Sequence, residues 1–353
     1  MALSRSGDDA QAALFLRPDY YEFFPLFSTR EIAERVQALP FHLATLLDPE
    51  NIVPALATEA GRRGARAFFT ADRAAQRTWL CEVLLAAGIS PRVAGAIGRV
   101  PRELFVPAAY LPYCYLNQAL SFDSLSCLTP PGLVALMLDR LDLHPGQTAL
   151  EVGIGSGYHA ACAAESAGND CAIYGVELSR AYAAFGQAAV ARAAYSNIRI
   201  ACADGYLGWP APLQFDRIYL TASFADTPPP ALTAQLREGG IFQGVRAITA
   251  TEYDGIAETS WLRRWYPSYE AYRAGRWRGY SCLFTARKEA GQLVEIDHIY
   301  DVRLTPLHQN PDAYRGAPGR RFAEIEQLLQ SLDADRGGAP PHPADPGADP
   351  ATS

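Results

Sequence analysis

The sequence predicts an α/β fold, a mostly parallel, doubly wound sheet of Rossmann-like type with an added helical region in front of it. Three observations carry that expectation. Between about residues 96 and 310, short apolar strands alternate with helical stretches: TALEVGIG, CAIYGVEL, NIRIACAD and FDRIYLTAS. Parallel neighbours need crossover connections, so this repetition implies helices on both faces of one sheet. The first of these strands runs into three closely spaced glycines and then a helix, the place where doubly wound folds receive nucleotides. Finally, 353 residues of which 49% are hydrophobic supply an ordinary buried core.

In chain order, residues 1–95 read as a helical extension, because REIAERVQAL and AAQRTWLCEVLLAAGI place apolar residues three and four apart. Residues 96–310 form the strand-helix domain. It is interrupted at 250–280 by TEYDGIAETSWLRRWYPSYEAYRAGRWRGY, a stretch dense in aromatic residues and arginine. Residues 311–333 hold one amphipathic helix through Phe322, Ile325, Leu328, Leu329 and Leu332. The Pro, Gly, Ala and Asp of 334–353 read as a disordered tail.

Composition narrows the function classes. A net charge of -7 and a pI near 5.5 give no positive field for a phosphate backbone, so nucleic acid is not expected as a partner. No apolar run approaches the ~20 residues needed to span a bilayer, and MALSRSGDDAQAAL lacks the layout of a signal peptide. A cytoplasmic protein without membrane contact is expected. Cys81, Cys114, Cys127, Cys162, Cys171, Cys202 and Cys282 show no C-x-x-C pair, which argues against metal and disulfide scaffolds and for small core side chains.

The sharpest signal is TALEVGIGSGY, residues 148–158. Gly153, Gly155 and Gly157 allow a tight turn that a ligand can approach without meeting a Cβ. Dinucleotide enzymes favour G-x-G-x-x-G, whereas this loop is G-x-G-x-G with Glu151 two residues ahead and Ser156 and Tyr158 within it. It resembles the first motif of class I S-adenosylmethionine-dependent methyltransferases. The next strand ends in Glu177 and Leu178, where an acid can accept both hydrogen bonds of a ribose diol. The third ends in Asp204 and Gly205, where a carboxylate can meet the exocyclic amine of adenine. Glu177 could equally cap a helix and Asp204 make a turn.

Around this core, RVPRELFVP (99–107), CLTPPGLVALM (127–137), FDRIYLTAS, LREGGIF and VRLTPL (302–307) make the chain resemble the protein-L-isoaspartate O-methyltransferase family over roughly residues 96–308. The resemblance implies S-adenosylmethionine as cofactor and a peptide or protein acceptor with an acidic side chain. It puts Thr129 at the family's active-site serine, with Ser126 as a second orienting hydroxyl. Asn117, Gln118 and Thr221 fall at substrate-binding positions. Asn117 and Gln118 replace the family's Asp-Arg pair, and Asp123 and Leu125 replace glycines of its substrate loop, which alters what the pocket accepts. The oligomeric state stays open, with a monomer favoured.

The expected chemistry is an in-line displacement on a carboxylate that is already ionised at neutral pH, so no strong base is required. His159, beside Tyr158, is the histidine nearest the glycine loop. Arg263, Arg264, Arg273, Arg276 and Arg278 of the insertion offer bidentate carboxylate recognition, or else a solvated face over buried aromatic anchors. Two alternatives remain: a small-molecule O- or N-methyltransferase on the same scaffold, and a cofactor-binding adaptor without turnover.

Overall fold

The computed structural model describes residues 67, 68, 70–117, 120, 121, 127–224, 227–256, 263, 267–275, 281–302, 305 and 306. The expected helices at 30–39 and 311–333, the tail at 334–353, and Gln118, Ser126, Asp123 and Leu125 lie outside these residues.

Among the described residues, two helices come ahead of the first short strands, each started by a side-chain cap. Asp72 accepts the Ala75 N–H ahead of α1 (Arg73–Ala86), and Ser90 accepts the Val93 N–H ahead of α2 (Pro91–Arg99), with Pro91 at the first turn. Such caps contribute roughly 1 kcal/mol each. Helix α2 runs straight across residue 95, where the sequence placed the edge of the domain, and packs on both α1 and the helix that follows the glycine loop.

A short antiparallel pair, β1 (Leu120–Ser121) and β2 (Cys127–Leu128), leads into α3 (Pro131–Leu141). The main sheet follows: β3 (Thr148–Val152), β4 (Ala172–Glu177), β5 (Ile198–Cys202), β6 (Phe215–Phe224), β7 (Leu236–Arg246), β8 (Ser281–Glu289) and β9 (Gln292–Val302). Their spatial order is β5-β4-β3-β6-β7-β8-β9, and β10 (Thr305–Pro306) lies parallel against the end of β6. Strands β3 to β7 are mutually parallel; β8 is antiparallel to both neighbours. The four apolar strands read from the sequence are β3 to β6. LREGGIF differs: it does not turn out of a helix but continues as strand β7, with Gly239 at φ +76° taking up a register shift against β6.

Helices α4 (Tyr158–Ser166) and α5 (Arg180–Arg192) are the crossovers between β3, β4 and β5; α6 (Pro230–Gln235) precedes β7. Leu150, Val152, Val176, Ile218, Leu220, Phe242 and Phe284 form the core between sheet and helices, all at most 5% exposed. The chain winds outward from β3 to β5, then returns to the other side of β3 as β6. That reversal opens a crevice beyond the carboxyl ends of β3, β4 and β6, where open α/β sheets bind ligands. The aromatic insertion lies between β7 and β8 as α7 (Ala250–Gly255) and α8 (Tyr269–Gly275), where Tyr253, Tyr269 and Tyr272 pack ring on ring and Arg263 lies over Tyr253.

Candidate active site

The glycine loop leaves β3 with Gly153, Gly155 and Gly157 all at positive φ, +86°, +51° and +82°. A side chain there would cost about 1–2 kcal/mol per residue in backbone strain alone. Its path is fixed by backbone bonds from Gly153 and Ile154 N–H to the Val176 carbonyl, 2.9 and 3.2 Å, which tie it to β4. Two glycines outside the loop complete the turn. A Cβ on Gly186 of α5 would collide with the Gly155 carbonyl, and one on Gly175 of β4 would collide with Ile154. The loop therefore nests in hollows left by its neighbours.

Glu177, at the end of β4, faces that loop. Its Oε2 accepts the Gly155 N–H at 3.1 Å and its Oε1 the Ser179 N–H at 2.9 Å. Burial pushes its carboxyl above the ordinary carboxylate range, against the pull of those backbone donors. Each oxygen keeps further lone pairs for an incoming donor. Leu178 is half-buried beside it. At the end of β5, Asp204 accepts the Tyr206 N–H through Oδ1 at 2.9 Å and caps the short turn beginning at Gly205, so it makes the turn and retains Oδ2. Ser156 is buried, with its Oγ accepting the Tyr158 N–H at 3.4 Å.

Other site candidates have duties that the sequence did not foretell. Glu151 is 1% exposed and points into the layer beneath the loop, where it accepts the Tyr219 hydroxyl at 2.9 Å; burial pushes its carboxyl up to about 8. It stands opposite Tyr219 on the neighbouring strand β6, which is why the two side chains meet. Thr221, expected to face the acceptor, donates to the Gly153 carbonyl at 2.6 Å, with the Val152 carbonyl at 3.2 Å, and props the loop from β6. Asn117, expected at the substrate, is 1% exposed and accepts the Gly132 N–H at 2.7 Å through Oδ1, satisfying an orphan donor in the first turn of α3. His159 lies buried with its ring centroid 4.9 Å from that of Tyr219, and burial pushes it down to about 3, so it stays neutral at ordinary pH.

Thr129 stands between β2 and α3, 8% exposed. Its carbonyl accepts Nη2 of Arg102 at 3.0 Å, and Arg102 in turn lies across the ring of Tyr158, the first residue of α4. Strand β10 pairs Thr305 with Ala222 and Pro306 with Ser223, at the same strand end that carries Thr221. Glycine loop, Glu177 and Asp204 thus gather around the carboxyl ends of the parallel strands, and Thr129 is linked to the loop through Arg102 and Tyr158. Among the described residues no group of three or more His, Cys, Asp and Glu side chains could hold a metal ion, and no helix is long and apolar enough to cross a membrane.

A profile of the protein-L-isoaspartate(D-aspartate) O-methyltransferase family matches residues 75–245, from α1 to the end of β7. The chain is 41% identical over 152 residues to the protein-L-isoaspartate O-methyltransferase of Methanothrix thermoacetophila, covering 43% of this chain and 72% of that one. It is 35% identical over 191 residues to protein-L-isoaspartate O-methyltransferase 1 of Archaeoglobus fulgidus, covering 52% and 88%. Among solved structures, a protein-L-isoaspartate O-methyltransferase aligns over 66% of both chains at a TM-score of 0.54 and 26% identity. A similar enzyme from Plasmodium falciparum, in complex with S-adenosyl-L-homocysteine, aligns over 67% of this chain and 99% of its own at 0.51 and 21% identity, a likeness of fold.

Proposed function

Because the chain belongs to the protein-L-isoaspartate(D-aspartate) O-methyltransferase family and is a methyltransferase, we propose that it carries a methyl group from S-adenosylmethionine to a carboxylate, that of an aspartyl or isoaspartyl residue in a peptide or protein. The observation that carries this reading is Glu177, whose carboxylate sits against Gly155 N–H at the mouth of a loop with three positive-φ glycines. A ribose diol can donate both hydroxyls to one carboxylate, and a methionyl group beside the loop needs backbone unobstructed by Cβ atoms. The lone pairs left on Glu177, the three glycines and Oδ2 of Asp204, toward an adenine amine, support this reading.

The bound cofactor would supply an electrophilic methyl on a sulfonium. The chain's own residues bind, orient and exclude water. Glu177 and Asp204 fix the nucleoside, and the glycine loop fixes the sulfonium arm. Thr129 orients the acceptor oxygen through its hydroxyl; Ser126, close in sequence, is a second candidate. Neutral His159 and the raised carboxyl of Glu151 lie beneath the loop and take no proton from the acceptor. None is needed, since the attacking carboxylate is already ionised near neutral pH. Catalysis then rests on positioning, with these residues holding the acceptor oxygen beside the donor site and keeping water out.

The test is transfer of labelled methyl from S-adenosylmethionine to an isoaspartyl peptide, its normal aspartyl counterpart and a panel of small carboxylates. Alkali-labile label on the isoaspartyl peptide is expected. Label confined to small molecules, or none at all despite tight cofactor binding, overturns the acceptor assignment.

A further inference from the structure

One buried cation spans the acceptor and cofactor halves of the site. Arg102 is 0% exposed, and of its guanidinium nitrogens only Nη2 has a protein partner, the Thr129 carbonyl at 3.0 Å. Nε and Nη1 are buried without a hydrogen-bond partner. The carboxylate next to it in sequence, Glu103, is occupied by the Tyr115 hydroxyl. The face of the guanidinium rests 4.3 Å from the centroid of the Tyr158 ring, while Phe105, from the same short turn, meets that ring edge-on at 5.8 Å.

Taken as packing alone, this is a poor choice. A buried, underpartnered cation costs stability, and an apolar side chain of similar volume would fill the space without that penalty. A guanidinium does what an apolar chain cannot: one edge binds a carbonyl while the plane stacks on an aromatic ring. The two surfaces it engages belong to Thr129, on the acceptor side, and to Tyr158, one residue past Gly157 on the cofactor side.

We propose that Arg102 is a positioning residue that couples seating of the cofactor in the glycine loop to the placement of Thr129. The coupling rests on the assignment of that loop to S-adenosylmethionine. Filling the loop steadies Gly157 and with it the Tyr158 ring; the stacked guanidinium then steadies the Thr129 carbonyl, so the acceptor hydroxyl is set only when the methyl donor is present. A site organised in this way exposes no prepared acceptor pocket without its donor.

Hydrogen exchange with S-adenosylhomocysteine as probe tests this. In the wild-type chain the probe slows exchange at residues 153–158, its seat, and also at 132–135, the first turn of α3 just after Thr129. In Arg102→Met, protection at 153–158 persists with affinity within about threefold, Tm is unchanged or raised, and the added protection at 132–135 is lost. Arg102→Lys keeps the charge without the fork and loses that protection as well; it carries the test if the Met variant does not fold. Equal protection of 132–135 in wild type and variants, or none there in wild type, overturns the coupling alone. A wild-type chain that does not bind the probe overturns both the coupling and the cofactor assignment. On the isoaspartyl peptide, a fall of about tenfold in kcat with KM for S-adenosylmethionine unchanged is expected for Arg102→Lys. Unchanged kcat counts against the proposal.

Discussion

The two halves of this site are built by different physical means. On the cofactor side the backbone itself forms the seat: three glycines at positive φ, two N–H bonds to Val176, and hollows at Gly175 and Gly186 that no other residue would leave. On the acceptor side, side chains do the work across long sequence distances. Asn117 holds the start of α3, Arg102 holds Thr129, and the strands ahead of α3, β1 and β2, are two residues each. A seat made of backbone tolerates almost no substitution, whereas one made of side chains can be retuned residue by residue. By the sequence resemblance, the chain keeps the family's glycine-loop pattern and departs from it at Asn117, Gln118, Asp123 and Leu125.

That contrast ranks the effects of substitution. Gly155→Val puts a β-branched residue at φ +51°, which strains the backbone by about 1–3 kcal/mol and moves the N–H that Glu177 accepts. A loss of roughly 100-fold in S-adenosylhomocysteine affinity by calorimetry is expected. Retained affinity would mean the loop is not the seat. Gly186→Ala should follow at roughly 10-fold, because its methyl collides with the Gly155 carbonyl while α5 keeps its helical propensity. If that variant binds normally, the nesting of loop against α5 is not what fixes the loop's path.

Thr129→Ala sharpens the comparison from the other half. It removes one orienting hydroxyl, so kcat on the isoaspartyl peptide should fall about 10-fold while cofactor affinity stays within about twofold; Thr129→Ser should restore most of the rate. Equal damage to cofactor binding would show that the halves are not separable in this way.

A further effect, read in stability and not in binding or rate, concerns pH. Burial, resisted by the Tyr219 hydrogen bond, pushes Glu151 up to about 8, against 4.5 for an exposed carboxyl. Between those values the folded chain holds a proton that the unfolded chain has released. Its contribution to stability is therefore complete below about 4.5 and is lost as pH rises through about 8, amounting to a few kcal/mol at most. Glu151→Gln does not titrate, so its Tm should decline less than that of wild type between pH 5 and about 8. Parallel Tm curves would place the Glu151 carboxylate in a more polar setting than its burial implies.

The glycine turn after β3 and the acid ending β4 were legible in the sequence because their requirements are local. A glycine at positive φ has few substitutes, and an acid at the end of the next strand sits where β4 must end. Even there, Gly175 and Gly186 passed as ordinary strand and helix residues, since what makes them necessary is the approach of Ile154 and Gly155 from elsewhere in the chain. Glu151 and Thr221 were placed at the ligand by motif and resemblance, and their bonds to Tyr219 and to the Gly153 carbonyl had no sequence signal. Which face a residue takes in a strand covered on both sides is not written in its pattern. Arg102 lay in plain sight within RVPRELFVP, but its partners Thr129 and Tyr158 are far along the chain, and burial of a lone arginine has no local signature. Adjacent glycines such as those of LREGGIF ordinarily mark a turn, yet β7 runs on through them because Gly239 absorbs the register shift against β6.

The most direct check is a crystal structure of the chain soaked with S-adenosylhomocysteine. Both ribose hydroxyls should lie about 2.6–3.0 Å from the Glu177 carboxylate, with the homocysteine sulfur over the Gly153–Gly157 turn and facing Thr129. Ribose density away from Glu177, or a glycine turn left empty while the ligand binds elsewhere, would contradict the account.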